Sequence, residues 1–446
     1  MTAQSDTLNI KRPTASGSLT SIAIIGGLFF MFGFVTWLNG SLIPFLQITC
    51  ELNHMQAYFV TLVFYIAYTV MALPSARVLV RIGYKNGMVA GLGVMTLGAL
   101  CFIPAAMSGL FSVFLVALFM LGTGLTILQT AANPYIVAIG PRESAAVRIS
   151  LMGILNKSAG VLAPLIFTAL VFSDMSQYSD EYLASLSDIE YQAALRTLSE
   201  RLITPYLIMA LMLAALSLFM YCSPLPDIDL ADDTAAKETQ ACDKKSLLAF
   251  PQLVLGVFTL FFYIGVEVIA GDTIGVYGKD LGLSNFAHLT SYTMAFMVLA
   301  YILGMAVIPR WLSQERALEI SAVLGLTFVF AIVISSQENA YLWVTFFSWT
   351  GVTAIPNTVL FVALLGFSNA LVWPAVWPMA LKGLGSRTAE GSALLIMGIS
   401  GGALLPVAYG ALVEATHNPQ ISYLMLLPCY GFILYYARWG HKKASW

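Results

Sequence analysis

Asn156 and Lys157 stand side by side inside an apolar stretch long enough to cross a bilayer, and Glu267 and Asp272 interrupt a second such stretch far along the chain. An ionisable group in hydrocarbon costs about 3 kcal/mol or more, so a chain keeps one there chiefly to bind or move something polar. An amide can hydrogen-bond a hydroxylated solute, and a carboxyl can exchange a proton or hold a cation. Gln129 and Asn133, four residues apart, share a helix face, and Pro134 frees a nearby carbonyl that can bond a ligand or water. Trp373 and Trp377 are also four apart, each preceding a proline, and an indole face is suited to stacking on the apolar side of a pyranose. These residue types in this setting point to a path for a neutral, hydroxyl-rich solute with an ion-coupling group beside it.

Each residue also has a plainer reading. Lys157 follows Arg148 by nine residues, roughly 13 Å along a helix, so its stem could simply reach back to the interface. Glu267 is deep in its span and too short for that, which leaves it protonated, paired or facing a water-filled cavity. Asp272, between Gly271 and Gly275 near the outer end of its span, reads equally as an exposed helix end or a gate. Gln129 and Asn133 could serve packing between helices, and tryptophan is an ordinary interface anchor. Trp377 lies nearer the inner end, so Trp373 is the better site candidate.

The elements that must position these groups follow from composition. Hydrophobic residues make up 59% of 446 and charged residues 10%, a balance that cannot cover a soluble surface of this size and excludes a basic nucleic-acid-binding protein. Apolar runs predict spans at about 19–48, 57–80, 87–107, 110–139, 150–173, 204–222, 250–277, 287–309, 316–335, 354–381, 391–414 and 419–438. The apolar segment 341–352 is too short to cross alone; it extends a neighbour or lies at the interface, and a thirteenth span is the competing count. With twelve spans and a cytoplasmic N-terminus, only Arg196, Arg201 and Lys279 of the 21 Lys and Arg fall outside, with Lys157 inside a span. A thirteenth span would strand Arg438, Lys442 and Lys443 on the wrong side. The expected architecture is an all-α polytopic membrane protein of twelve transmembrane helices in two six-helix repeats. The expected division is a tail 1–18, a half 19–222, a cytoplasmic linker 223–248 with acidic Asp227, Asp229, Asp232 and Asp233, a half 249–438, and a tail 439–446. The segment 174–203 reads as an external surface helix. Cys50, Cys101, Cys222, Cys242 and Cys429 have no metal-ligand or disulfide spacing.

The two halves echo each other. Asn133-Pro134, Met152-Gly153-Ile154, Pro164 and Ala169-Leu170-Val171 recur as Trp377-Pro378, Met397-Gly398-Ile399, Pro406 and Ala411-Leu412-Val413, the pattern of a transporter whose halves rock about a mid-membrane site. Gln129 is then the counterpart of Trp373. The run Gln129 to Tyr135, Gly140-Pro141-x-Glu143-Ser144 with Arg148, Trp37-Leu38-Asn39 to Pro44, and Gly83-Tyr84-Lys85-Asn86-Gly87 resemble the fucose:proton symporter family of the major facilitator superfamily. Gly153 to Lys157 and Gly271-Asp272-Thr273 resemble most its bacterial glucose/galactose and N-acetylglucosamine permeases.

That resemblance implies a sugar contact at Asn156 and a cavity-lining aromatic at Trp373; with Asn39, Gln129 and Asn133, whose amides suit sugar hydroxyls, these are the candidate sugar-binding residues. It also implies acids at positions 40 and 129, where this chain has Gly40 and Gln129. The family's proton route therefore does not carry over, and Lys157, Glu267 and Asp272 become the candidates for ion coupling or gating. The expectation is uptake of a neutral hexose, glucose or galactose, across the bacterial inner membrane by alternating access, coupled to H+ or Na+, by a monomer with both termini cytoplasmic. It needs no cofactor, metal or nucleic acid. An N-acetylglucosamine permease and a non-transporting sugar sensor are the alternatives. An enzyme is not expected, since His54, His288, His417 and His441 stand singly and no phosphate-cradling loop is present.

Overall fold

The computed structural model describes residues 15–139, 145–171, 185–225, 247–308, 311–384, 388–443 and 445–446. The acidic cluster 227–233, Cys242, the segment 174–184 and the Gly140–Ser144 motif lie outside the described residues. All regular structure among the described residues is helical, as hydrocarbon demands of a chain whose backbone groups must find partners within their own segment.

Twelve helical stretches are long and apolar enough to cross a membrane: spans 1 (Thr20–Thr49), 2 (His54–Ala72), 3 (Tyr84–Ser108), 4 (Phe111–Asn133), 5 (Arg148–Val171), 6 (Asp188–Cys222), 7 (Pro251–Asp280), 8 (Phe286–Val307), 9 (Gln314–Ile334), 10 (Asn357–Leu381), 11 (Leu394–Thr416) and 12 (Pro419–Lys442). Glycines at positive φ turn the chain where spans meet, Gly83 (φ 80°) between spans 2 and 3 and Gly109 (φ 65°) between spans 3 and 4, conformations that cost a residue with a Cβ. Span 3 packs on span 4 through small residues: a Cβ at Gly91 would lie 2.8 Å from the Gly124 carbonyl, and one at Gly124 would lie 2.6 Å from that of Gly91. Segment 341–352 holds a helix Tyr341–Phe347 and a single tight turn. Its Trp343 is buried and stacks on Tyr292 of span 8 at 5.3 Å, so it lies against the bundle and adds no span. Span 6 begins with a polar, amphipathic α-helix, Asp188–Glu200, started by a Ser187–Glu190 capping box.

The spans are not uniform rods. Span 1 breaks at Leu38 between two helices, span 7 passes through a π turn at Ile269–Thr273, span 10 breaks at Ala370–Leu371, and span 11 contains a 3-10 turn at Gly398–Ser400. Spans 1, 2, 7, 8 and 11 meet at the end of the bundle remote from the chain termini. There the Ser41 hydroxyl of span 1 donates to the Ala287 carbonyl at 2.7 Å, the His54 amide donates to Glu414 of span 11 at 2.8 Å, and the His54 ring faces Asp280 at 3.8 Å. The Ser291 hydroxyl of span 8 reaches the Val161 carbonyl of span 5 at 2.7 Å. A Cβ on Gly275 would come within 2.8 Å of the Gly40 carbonyl, and one on Gly40 would strike the Thr290 side chain and lie 2.9 Å from the Gly271 carbonyl. Spans 1, 7 and 8 thus close this end by backbone contact.

Gly40→Val is expected to disfavour that closed end. Forcing extra methyl groups into a packed contact costs about 1–3 kcal/mol, enough to move a two-state population roughly tenfold. Spin labels on the loops following spans 1 and 7 should report a longer distance in Gly40→Val and an unchanged one in Gly93→Val, since a Cβ on Gly93 meets nothing within 4 Å.

Candidate functional site

The ammonium of Lys157 on span 5 lies 2.5 Å from Glu267 Oε1 on span 7, with the side chains 10% and 5% exposed. Lys157 therefore does not reach back to the interface; it is held at mid-span by an acid from the other half. The Trp37 ring of span 1 lies 4.2 Å beneath the same ammonium, a cation–π contact worth about 2 kcal/mol when desolvated. Trp37 can take this place because two glycines make room for it. A Cβ on Gly160 would be 2.7 Å from its ring and one on Gly271 2.6 Å.

Asn156 faces the same cluster. Its carbonyl accepts from the Trp37 indole at 3.3 Å, and its amide donates to the Phe29 carbonyl at 3.4 Å. Both bonds are at the long limit for nitrogen donors, so the side chain can exchange them for a better partner. Spans 1 and 5 approach closely here, since a Cβ on Gly33 would meet the Asn156 backbone carbonyl. Around the ion pair stand Tyr263, four residues before Glu267 on the same span, and Tyr301, beside Gly153. Trp373 and Trp377 stack at 5.1 Å, and Tyr263 lies 6.4 Å from Trp373, so the aromatic face connects through Tyr263 to Glu267. Gln129 donates to the Tyr68 hydroxyl at 3.0 Å, with Tyr65 and Tyr68 stacked at 6.1 Å. Asn133 is half-buried one turn further along span 4.

Two candidates take other positions. Asn39 lies at the break of span 1 beside the Gly40 contact, 2% exposed, with its side-chain nitrogen unpaired. Asp272 is fully buried in the π turn, neither of its oxygens hydrogen-bonded, so an exposed helix end is not its role. Sequence reasoning passed over Tyr263, Tyr68 and Asn369, whose carbonyl accepts from the Tyr430 hydroxyl at 2.8 Å while its amide nitrogen stays buried and unpaired. In a chain with 20 tyrosines and 27 phenylalanines, nothing in residue type separates such lining residues from packing. Trp37 carried a signal only through its place in the Trp37–Pro44 motif. No cluster of His, Cys, Asp and Glu suited to a metal exists among the described residues.

A bundle of twelve spans in two halves, with an ion pair between the halves at mid-depth and polar side chains around it, defines a multi-pass membrane protein of the transporter type. The chain belongs to the Major Facilitator Superfamily, whose sequence pattern matches residues 25–407. It is 32% identical over 433 residues to a glucose/galactose transporter of Brucella abortus, covering 96% of this chain and 94% of that protein. It is 25% identical over 430 residues to the L-fucose-proton symporter of Escherichia coli, covering 95% and 93%. The crystal structure of that fucose transporter, FucP, in the outward conformation superposes with a TM-score of 0.70 at 22% identity over 96% of this chain and 99% of the other.

The pair's energetics give a test. Removing one partner of a buried ion pair costs about 3–5 kcal/mol because it strands the other charge, whereas replacing both by neutral groups of similar volume is often nearly free. Lys157→Met should lower the apparent unfolding temperature markedly in detergent, and the double variant Lys157→Met with Glu267→Gln should recover most of the loss.

Proposed function

We propose that this protein imports a neutral hexose, glucose or galactose, across the bacterial inner membrane together with a proton, by alternating access. The observation that carries the reading is the meeting of Asn156, Lys157, Glu267 and Trp37 at mid-depth, where spans of both halves converge. The ion pair is internally neutral, so it leaves no net charge to repel or attract a ligand, and a neutral polyol fits it better than an anion or an amine. The relative from Brucella supports a hexose, and the proton in the name of the fucose transporter supports H+ over Na+.

The positive-inside distribution of Lys and Arg supports cytoplasmic termini, and on this reading the end closed by Gly40, Gly275 and Thr290 faces the periplasm. The present conformation is closed on that side. A hexose reaching the centre would take hydrogen bonds from Asn156 in place of its long contacts to Trp37 and Phe29, with Gln129 and Asn133 on span 4 and the Trp373 face on span 10 completing the site. Asn39, at the joint of span 1, would then respond to closure of the periplasmic end above the bound sugar. When the halves rock, Lys157 and Glu267 must separate or travel together, which ties the position of the halves to the charge state of the pair.

Labelled glucose, galactose and N-acetylglucosamine offered to proteoliposomes, with proton and sodium gradients imposed separately, test the reading; glucose or galactose accumulating on a proton gradient alone is expected. Entry of none of these sugars, or accumulation on sodium alone, would sink it. Asn156→Ala should weaken hexose binding roughly five- to tenfold, the value of one well-made neutral hydrogen bond with some stranding of its partner. Trp373→Phe should keep part of the affinity and Trp373→Ala lose most of it, both measured by calorimetry. A tryptophan that merely anchors its helix would lower thermal stability in both and leave affinity equal.

A further inference from the structure

Asp272 is the one described carboxylate that is fully buried with both oxygens free of hydrogen bonds. Its isolation does not come from a lack of polar neighbours. The Thr290 hydroxyl is spent on the Gly271 carbonyl at 2.7 Å, the Thr293 hydroxyl on the Ala270 carbonyl at 3.1 Å, and the Thr273 hydroxyl on the Ile269 carbonyl at 2.7 Å with Tyr423 2.9 Å away. The π turn exposes carbonyls, and the threonines of span 8 and of the turn itself cap them. The carboxyl is thereby left without a structural task.

The turn also sets the carboxyl's direction. In a regular α-helix, residues five apart point about 140° away from each other, so Glu267 and Asp272 would face different neighbours. A π turn closes on i→i+5 and brings the two toward one side. Both carboxyls act electrostatically on Lys157. The titratable groups that face Asp272 from the packed elements are Lys157 of span 5, Glu267 of its own span, and Tyr58 and Tyr65 of span 2.

Charge balance decides among the states of this group. Lys157 and Glu267 form a neutral pair, and a third, uncompensated charge in the same enclosed space would carry a desolvation cost of several kcal/mol. A bound sodium would need a shell of oxygen donors, yet the carbonyls of the turn are already taken by threonine hydroxyls. We propose that Asp272 is the proton-binding group of this transporter, loaded while the end sealed by Gly40, Gly275 and Thr290 is closed, and that Lys157 serves Glu267 and Asp272 as a shared counter-ion. The step is a simple exchange. When the seal opens and water reaches the turn, the Asp272 O–H bond gives its proton to water, and the carboxylate left behind is balanced by Lys157 and by solvent. Resealing requires that a proton return, so the closed state and the loaded state coincide. The proposal rests on the symport reading for its physiological use, but the proton itself can be read without any sugar.

Infrared difference spectroscopy on the purified full chain in lipid gives that reading. A protonated carboxyl free of hydrogen bonds shows a C=O stretch above that of bonded acids, which shifts in deuterium oxide. Wild type should show this band, and Asp272→Asn should lack it. Glu267→Gln should lack it too, because Lys157 then claims Asp272 as its anion. The double variant Lys157→Met with Glu267→Gln should show it again, and in that variant Glu267 cannot be its source. A band that survives Asp272→Asn, or is missing from wild type or from the double variant, overturns the assignment of the proton; a band that survives Glu267→Gln overturns the shared counter-ion. If the bands behave as expected while proteoliposomes move no hexose, the proton site stands and the sugar reading falls.

Discussion

The Lys157–Glu267 pair is the constraint on which the rest of the structure depends. It joins span 5 in one half to span 7 in the other at 2.5 Å, almost out of reach of solvent, and two charges so placed interact far more strongly than they would in water. The attraction does not come free, since both ions have been taken out of water. The surroundings answer that cost in kind. Trp37 presents its ring to the ammonium, and Asn156 supplies a dipole held by the same indole. Trp37 is itself accommodated by Gly160 and Gly271 on neighbouring spans, so the electrostatics at the centre are linked to the helix packing around it.

The departures from regular helix are concentrated where this linkage must be adjustable. A straight span satisfies its own backbone and has little to offer a ligand or a neighbouring half; a broken one exposes carbonyls that some other group must cap. In span 7 those caps are Thr290 and Thr293 of span 8, which fasten the π turn to the same helix that touches Gly40. Span 1 breaks next to that contact, between Trp37 under the lysine and Asn39 beside the seal. A change at the ion pair can therefore be felt at the seal through two short segments, Trp37–Gly40 and Glu267–Gly275. Both are held between rigid stretches of helix.

Much of this was legible in the residues. Span number and approximate limits follow from hydropathy and length, because the bilayer admits few alternatives, and Glu267 and Lys157 announce themselves as charges where charges are expensive. Opposite charge suggests that Lys157 could compete with an ion for Glu267; the geometry of their meeting could not be read. Pairing across 110 positions of sequence depends on how two helices face each other, and no period in either helix encodes that. The π turn was equally hidden: Ile269-Ala-Gly-Asp-Thr273 has no composition that distinguishes it from a continuing α-helix, and it was only the glycine at 271 that hinted at close approach. For the same reason Asp272 could be read as either an exposed end or a gate, while the structure encloses it completely.

Gly40 shows how a lost group and a gained one can be connected. The resemblance to fucose permeases implies an acid at this position, yet here a Cβ would collide with Thr290 and crowd the Gly271 carbonyl, so a side chain there opposes the closed form. The Gly271 carbonyl lies where a Gly40 side chain would begin, and Gly275 lies against the Gly40 carbonyl. An acid cannot stand at that point without forcing the spans apart. One residue further along span 7, Asp272 sits fully buried in the π turn with neither oxygen hydrogen-bonded. Tight closure and a buried acid are incompatible at a single position, and this chain separates them by one residue and one irregular turn.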